Sequence, residues 1–445
     1  MTPDIAIVGA GPAGLEAAIE ARRHGASVLL LDEGMAPGGR IWQGLERRGA
    51  HSREEADALH VIERFRASGT DARFQATLWS IEGTTLFWSE GGRARTAEAG
   101  QVILATGTQE RPLPIPGWTM PGVMTVGAAQ ILLKTGGLVP SGRTWIAGQG
   151  PLLLLYAVQA LRAGGRLAGI IDLSASSLPV AHAFRALRSP GALGRGLAWR
   201  RLIAKAGVPW IQGYALGAHG EQKLERISFQ TARDAAEQRA DTLLLHDGVI
   251  PSVQLTRALG IAHEWNAAQA CWQPIVDQWG QTNMPAIRVA GDGAGVGGWA
   301  AAALSGRLAA LGALTELGRL QARDRDGLAR PLAVRRRRRL ALRPLLDALY
   351  PPLRLDPADP VVLCRCEEVT AGQVRQAVRL GCLGLNQLKA FTRAGMGPCQ
   401  GRMCGPSVAQ VVAAARGVPV EDVAPLRPRF PTKPLTLGEL ATLEV

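Results

Sequence analysis

The chain has 445 residues, 47% hydrophobic and 20% charged, with 50 Lys and Arg against 37 Asp and Glu for a formal charge of +13. This length calls for two or three domains, and the composition excludes a disordered or fibrous chain. The positive balance does not by itself mean nucleic acid: the densest run, Arg335 to Arg339, has no nucleic-acid-binding motif beside it and reads as a solvated linker face.

Four residues into the chain a buried-strand pattern begins, Ile5-Ala6-Ile7-Val8. No basic start with an apolar stretch and a small-residue cleavage site precedes it. The longest apolar runs, such as Leu152 to Leu155, fall short of the roughly 20 residues that cross a bilayer. The expectation is a soluble cytoplasmic protein with no transmembrane segment.

The opening strand leads into Gly9-Ala10-Gly11-Pro12-Ala13-Gly14, a helix expected from Leu15 to about His24, and a second strand Val28 to Leu31. Asp32 and Glu33 close that strand, about 20 residues after the glycines. Gly9 permits the tight turn, Gly11 lets the backbone approach a pyrophosphate, and Gly14 lets the helix pack close to the strand. The helix N-terminus stabilises phosphate charge. The acid accepts hydrogen bonds from an adenosine ribose, a role for which Asp32 is favoured over Glu33.

Two further segments favour FAD as the dinucleotide, and a third marks the return to its domain. Pro37-Gly38-Gly39-Arg40 resembles the loop that many FAD enzymes place over the pyrophosphate. Val289-Ala290-Gly291-Asp292-Gly293 resembles the late strand and turn in which an aspartate holds the ribityl and phosphate end of the flavin. Gly295, Gly297 and Gly298 then precede an Ala-rich helix. Between them, Val102-Ile103-Leu104-Ala105-Thr106-Gly107 matches the strand and turn that return the chain to the same domain, with Thr106 and Gly107 at the cofactor.

A second unit of the same type starts at Thr144-Trp145-Ile146-Ala147-Gly148-Gln149-Gly150-Pro151 and runs to Gly169-Ile170-Ile171-Asp172. Leu153 stands at its third glycine position, which holds helix and strand apart and weakens the expectation of NAD(P). No basic residue near Asp172 suggests a 2′-phosphate pocket. The unit is expected to keep the fold without that cofactor, or with another nucleotide. His246, at the end of a later strand, reads as structural. No Cys-x-x-Cys lies near either unit, which excludes a thioredoxin-reductase-style dithiol mechanism.

Residues from about 320 to 358 read as a helical or irregular connector, broken at Pro351-Pro352 and Asp356-Pro357. Beyond it, Cys364-Arg365-Cys366 is followed after thirty-two residues by Cys399-Gln400-Gly401-Arg402-Met403-Cys404. Four thiolates suit an iron–sulfur cluster or a structural zinc. Zinc sites favour pairs two to four residues apart, so the tight Cys-x-Cys favours [2Fe-2S], with zinc as the alternative. Gly395, Gly397, Gly401 and Gly405 allow close backbone wrapping, and Arg365 and Arg402 can offset cluster charge. Thr370 is an expected N-cap, and a further helix is expected near Leu385. Cys271 and Cys382 are isolated and assigned to packing.

Cys364 to Val408 resembles the bacterioferritin-associated-ferredoxin type of [2Fe-2S] domain. Met1 through about Ser305 resembles the flavoprotein subunit of multi-subunit amine dehydrogenases, a group that includes the alpha subunits of opine oxidases and hydroxyproline dehydrogenases and the corresponding subunit of hydrogen cyanide synthase. The match extends to the tail Pro431-Thr-Lys-Pro-Leu-Thr-Leu-Gly-Glu-Leu. The resemblance implies that Cys364, Cys366, Cys399 and Cys404 ligate the cluster, and that Gly9, Gly11, Gly14, Asp32 or Glu33, Gly39, Arg40, Thr106, Gly107 and Asp292 hold FAD. It also implies an FAD-dependent beta subunit that oxidises the amine, and an external electron acceptor. A small ferredoxin-like subunit, an FMN between subunits and attachment to the inner membrane through the complex are compatible with it. No paired base and nucleophile is found, so no catalytic residue is assigned.

The expected fold is α/β: two Rossmann-like domains of the FAD/NAD(P)-binding flavoprotein type plus a small helical [2Fe-2S] domain. The expected boundaries are 1–120 with 275–320 for FAD, 121–274 for the second Rossmann-like domain and 321–358 for the connector. The cluster domain takes 359–420 and the tail 421–445. Two other functions stand beside that of an amine dehydrogenase component: a self-sufficient NAD(P)H-dependent reductase, and a non-catalytic iron-handling or regulatory protein.

Overall fold

The computed structural model describes residues 2–174 and 190–443. Its first sheet is parallel, in the order β20-β7-β1-β2-β3, where β1 is Ile5–Val8, β2 Val28–Asp32, β3 Asp71–Phe74, β7 Gln101–Leu104 and β20 Ile287–Val289. The central strands are buried on both faces, as their continuous apolar sequences require. Ile5 pairs with Val28 on one side and Gln101 on the other, so all three strands end level. That common C-terminal edge is where a nucleotide crevice forms in an open α/β sheet.

Helix α1, Pro12–Arg23, begins three residues earlier than the apolar spacing suggests, because Pro12 can occupy the first turn directly after the glycine loop. It packs against α4, Trp299–Glu316, at a close crossing: a Cβ added to Gly306 would lie 1.9 Å from the Ala13 carbonyl oxygen. A Gly306→Ala variant is therefore expected to lower stability by about 1–3 kcal/mol or more, read as a drop in thermal midpoint. The other face of the sheet is covered by an antiparallel sheet of β4 (Thr77–Glu82), β5 (Thr85–Glu90) and β6 (Arg93–Glu98). Leu78, Leu86 and Trp88 meet Val8, Leu31 and Leu104 in the core between them.

The second parallel sheet has the order β12-β11-β10-β16-β9: Trp210–Gln212, Leu167–Asp172, Thr144–Gln149, Thr242–Asp247 and Val123–Thr125. Helices α2 (Val126–Gly136) and α3 (Pro151–Arg162) cover one face, with Leu153 only 2% exposed in that core. The antiparallel strands β13 (Tyr214–His219), β14 (Arg226–Gln230) and β15 (Ala235–Arg239) cover the other. The chain crosses between the two domains twice, through β8 (Thr108–Glu110) and β17 (Val249–Pro251), and these pair antiparallel. A hairpin of β18 (His263–Asn266) and β19 (Cys271–Pro274) follows, and Ile261 packs in the core of the first domain.

The arginine run lies in helix α5, Ala322–Leu340, followed by α6, Arg343–Leu349, and an extended stretch. The C-terminal domain is a short hairpin of β21 (Val362–Cys364) and β22 (Val369–Thr370) with helices α7 (Ala371–Arg379), α8 (Leu385–Thr392) and α9 (Gly405–Arg416) around one apolar core. Thr370 caps α7 through a reciprocal bond pattern with Gln373, and α8 starts at Leu385, both as the sequence suggests. Cys382 is fully buried in that core and Cys271 is 4% exposed. Among the described residues no helix is long and apolar enough to cross a membrane.

Candidate functional site

At the edge of the first sheet the glycine turn is held by close backbone contacts. Gly9 has φ +108°, and a Cβ there would sit 2.4 Å from the Ala105 carbonyl oxygen. A Cβ on Gly14 would lie 1.8 Å from the Gly9 carbonyl oxygen, so helix and turn touch backbone to backbone. A Cβ on Gly11, by contrast, would meet nothing within 4 Å. Its exposed face is the open space in front of the α1 N-terminus, the place for a phosphate.

Asp32 is tied to this turn. Its Oδ2 accepts from the Ala10 N–H at 2.5 Å and its Oδ1 from Gly34 at 2.6 Å, while burial pushes its carboxyl up against those two bonds. Glu33 points elsewhere and pairs with Lys433 of the tail at 2.7 Å. The loop Pro37–Arg40 lies on the turn: Gly38 donates to the Ala10 carbonyl, and a Cβ at Gly39 would be 2.8 Å from the Gly11 Cα. Lys134 of the second domain holds that loop, donating to the Ile41 carbonyl at 2.9 Å and to Gln130 at 3.0 Å, with its amine brought down to about 8 by burial. Arg40 itself is exposed at the rim.

Asp292 stands in the turn after β20. Its Oδ1 accepts from Gly297 and Gly298, both at 3.0 Å, which organises the approach to α4. Burial pushes its carboxyl up, opposed by those amides and by Arg343. The turn touches the other arm of the site, since a Cβ at Gly293 would be 3.3 Å from Thr106 Oγ1 and 3.5 Å from the Gly107 nitrogen. The candidate residues on these segments thus gather along one edge of the first sheet. Open space over Gly11, with the Asp32 carboxylate on one side and the Asp292 carboxylate on the other, fits an elongated dinucleotide.

The four clustered cysteines meet in the C-terminal domain. Cys364 and Cys404 are buried, Cys399 is partly so and Cys366 is exposed. Cys366 Sγ lies 3.8 Å from Cys399 Sγ, and Cys364 and Cys404 are hydrogen-bonded to each other. The bond from Cys404 holds the Cys364 thiol at about 5 despite its burial, helped by backbone N–H groups of Gly395, Glu367 and Cys366. That bond, burial and the charges of the other three cysteines push Cys404 up. Among the described residues no three His, Cys, Asp or Glu side chains gather around a single ion position. The four sulfurs are a soft donor set of the kind that iron–sulfur centres take.

The glycines of this loop divide their work. A Cβ at Gly397 would lie 2.2 Å from Cys366 Cβ, so that glycine makes room for Cys366. Gly395 and Gly401 instead make room for Leu426, whose methyl carbon would be 2.9 Å and 2.1 Å from their added Cβ atoms. Arg365 stacks over Trp118 at 5.4 Å, and the Trp118 indole donates to the Val362 carbonyl, docking this domain on the second one.

Two glutamines that no motif marks join the two sites. Gln254 donates to the Cys399 carbonyl and Gln109 to the Arg402 carbonyl, both at 2.6 Å. Gln254 follows Ser252, whose N–H donates to the Gly107 carbonyl at 2.9 Å and whose own carbonyl accepts from Thr106 Oγ1 at 3.1 Å. The cluster loop is therefore one short polar relay from the Thr106–Gly107 arm of the dinucleotide crevice. The tail adds a strap on the same loop, with Gln400 donating to the Pro431 carbonyl at 2.7 Å.

This architecture is that of an FAD-binding two-Rossmann flavoprotein carrying its own [2Fe-2S] domain, and residues 3–306 match the pyridine nucleotide-disulphide oxidoreductase model while 362–414 match the BFD-like [2Fe-2S] binding domain. The chain belongs to the pyridine nucleotide-disulphide oxidoreductase family, in a branch it shares with opine oxidase and hydrogen cyanide synthase subunits. It is 41% identical to a subunit of opine oxidase from Rhizobium meliloti over 99% of this chain and 87% of that one. It is 34% identical to hydrogen cyanide synthase subunit HcnB of Pseudomonas aeruginosa over 98% of both chains. In fold it is similar to L-proline dehydrogenase from P. horikoshii, with TM-score 0.73 and 21% identity over 99% of this chain and 79% of that one. The protein is an oxidoreductase that takes FAD and a [2Fe-2S] cluster.

Proposed function

We propose that this chain is the electron-transfer subunit of a heteromeric amine or amino-acid dehydrogenase, of the opine, hydroxyproline or glycine type. FAD supplies electron-pair chemistry and the cluster single-electron chemistry, so one chain holding both can join a two-electron oxidation to a one-electron acceptor. The observation that carries the reading is the relay Gly107–Ser252–Gln254–Cys399, which seats the cluster loop against the flavin crevice. The names of the relatives, subunits of opine oxidase and hydrogen cyanide synthase, support assembly with partner subunits, of which we assign the amine oxidation to one. The crevice has no paired base and nucleophile among its candidate residues, which leaves the C–H oxidation to that partner. Gly9, Gly11, Gly14, Asp32, Gly39, Thr106, Gly107 and Asp292 are the candidate FAD contacts, with Glu33 and Arg40 at the rim; Cys364, Cys366, Cys399 and Cys404 are the candidate ligands. The cytoplasm is the proposed location.

The test is to isolate the chain with whatever co-purifies from its own cell and record the absorption spectrum as opines, hydroxyproline, glycine and NADH are added. Bleaching by one amine and not by NADH is expected. Bleaching of the isolated chain by NADH would replace this reading with a self-sufficient reductase.

The two glutamines make a separate prediction. Gln254→Leu with Gln109→Leu is expected to leave iron and flavin content unchanged but slow reduction of the cluster by the flavin, on the order of tenfold or more, because small misplacements of reacting groups are costly. Rapid-freeze electron paramagnetic resonance of the cluster signal measures it. An unchanged rate would show that the docking is not set by these residues.

A further inference from the structure

The chain contains two copies of one glycine turn, and the structure uses them differently. Gly9-Ala10-Gly11-Pro12-Ala13-Gly14 corresponds position by position to Gly148-Gln149-Gly150-Pro151-Leu152-Leu153. In the first copy the missing side chain of Gly11 faces open space; in the second, a Cβ at Gly150 would come to 3.8 Å from the His246 ring. That ring is fixed, 2% exposed, with Nδ1 2.5 Å from Glu110 Oε1. In the first copy the acid reaches back to its turn, Asp32 accepting from Ala10. In the second, Asp172 has turned to the neighbouring strand and accepts from the Trp210 indole at 3.1 Å and from the Ser174 N–H at 2.9 Å. Arg200 stacks over Trp210 at 4.5 Å and closes that side.

What lies on the second turn is the connector. Gln149 donates to the Pro351 carbonyl at 2.6 Å and to Asp247 Oδ1 at 2.8 Å. Asp247, fully buried at the end of β16, accepts from the Leu353 N–H at 3.2 Å. Tyr350, just before, is near enough to Asp172 and Arg200 for both charges to act on its phenol, which burial chiefly pushes up. Leu353 and Leu355 then pack on the core of Ile171, Leu243 and Leu245. Tyr350, Pro351 and Leu353 therefore pass in turn the ends of β11, β10 and β16. That is the line along the carboxyl edge on which a dinucleotide lies in an open α/β sheet.

We propose that the crevice of the second Rossmann unit is the seat of the chain's own Tyr350–Leu353 segment, and that it serves to mount the [2Fe-2S] domain instead of binding a nucleotide. The mount is placed where it matters, because Leu355 also donates to Gln410 on α9, so the segment is fastened to the cluster domain at its other end. The loss of the third glycine is consistent with this: Leu153 is buried in the core under the sheet, so the close helix-to-turn packing of the first copy is absent from the second.

Hydrogen exchange on the purified holoprotein, with and without NAD, NADPH or ATP, tests this. The expected result is that residues 350–355 are protected, that none of the three nucleotides changes the protection of 148–153 or 350–355, and that Gln149→Leu speeds exchange of 350–355 about fivefold to tenfold through loss of the bond to Pro351. Leu353→Pro, which removes the N–H facing Asp247 from the other side, is expected to do the same, and retained flavin absorbance reports that the fold is intact. Protection of 148–153 by any of the nucleotides together with faster exchange of 350–355 would overturn the proposal. So would exchange of 350–355 that is already fast in the unaltered protein.

Discussion

Cys404→Ser is expected to abolish the iron–sulfur centre while leaving the flavin in place. Cys404 is 2% exposed and bonded to Cys364, and it immediately precedes α9, whose apolar face closes the domain core. A serine there keeps the size of the side chain but replaces a soft thiolate by a hydroxyl that iron–sulfur centres accept poorly. Changes to groups around metal ligands already cost 10–100-fold in affinity or activity, so loss of a ligand itself is expected to exceed roughly 100-fold. The measurement is iron and inorganic sulfide per flavin, followed by transfer to a one-electron acceptor. Iron retained at the level of the unaltered protein would remove Cys404 from the ligand set. The flavin crevice is built from residues 5–107 and 287–298 and has no part in α9, so its absorbance serves as the internal control.

The second large effect separates two glycines three residues apart. Gly14→Ala puts a carbon 1.8 Å from the Gly9 carbonyl oxygen, a backbone atom that cannot swing aside. Helix α1 must move off the turn, and the loss is expected to exceed the ~1–3 kcal/mol of ordinary overpacking. Both flavin content and thermal midpoint should fall. Gly11→Ala puts its carbon into space with no protein atom within 4 Å. The fold should survive, with an unchanged far-ultraviolet circular dichroism spectrum, while flavin affinity drops because the new methyl occupies the phosphate approach. If Gly11→Ala retained FAD as well as the unaltered chain, the pyrophosphate would have to lie elsewhere.

The contrast between these glycines shows how much of the site can be read in one dimension. The glycine turn, the acid that follows it and the paired cysteines all announce themselves, because each depends on backbone geometry or ligand chemistry that only a few residue types satisfy within a short span. The start of α1 is read late, since the apolar spacing registers at Leu15 although Pro12 already carries helical geometry. The loop glycines are read as close wrapping at the sulfurs, which Gly397 provides against Cys366; that Gly395 and Gly401 also make room for Leu426, farther along the chain, has no local signal. Lys134, which pins the Pro37–Ile41 loop from another domain, has no local signature.

Sequence alone marked a dinucleotide turn, a second turn of altered pattern and two cysteine pairs, because each is a short stretch whose backbone geometry or ligand chemistry few residue types satisfy. Only the tertiary structure decided how the three are joined. Gln109, Gln149 and Gln254 are single residues of a common type, and their meaning lies in main-chain carbonyls 293, 202 and 145 positions away. A carbonyl acceptor is present on every residue, so nothing in the partner's sequence marks it. Folding alone brings the cluster loop to the flavin crevice and lays the connector along the edge of the second sheet.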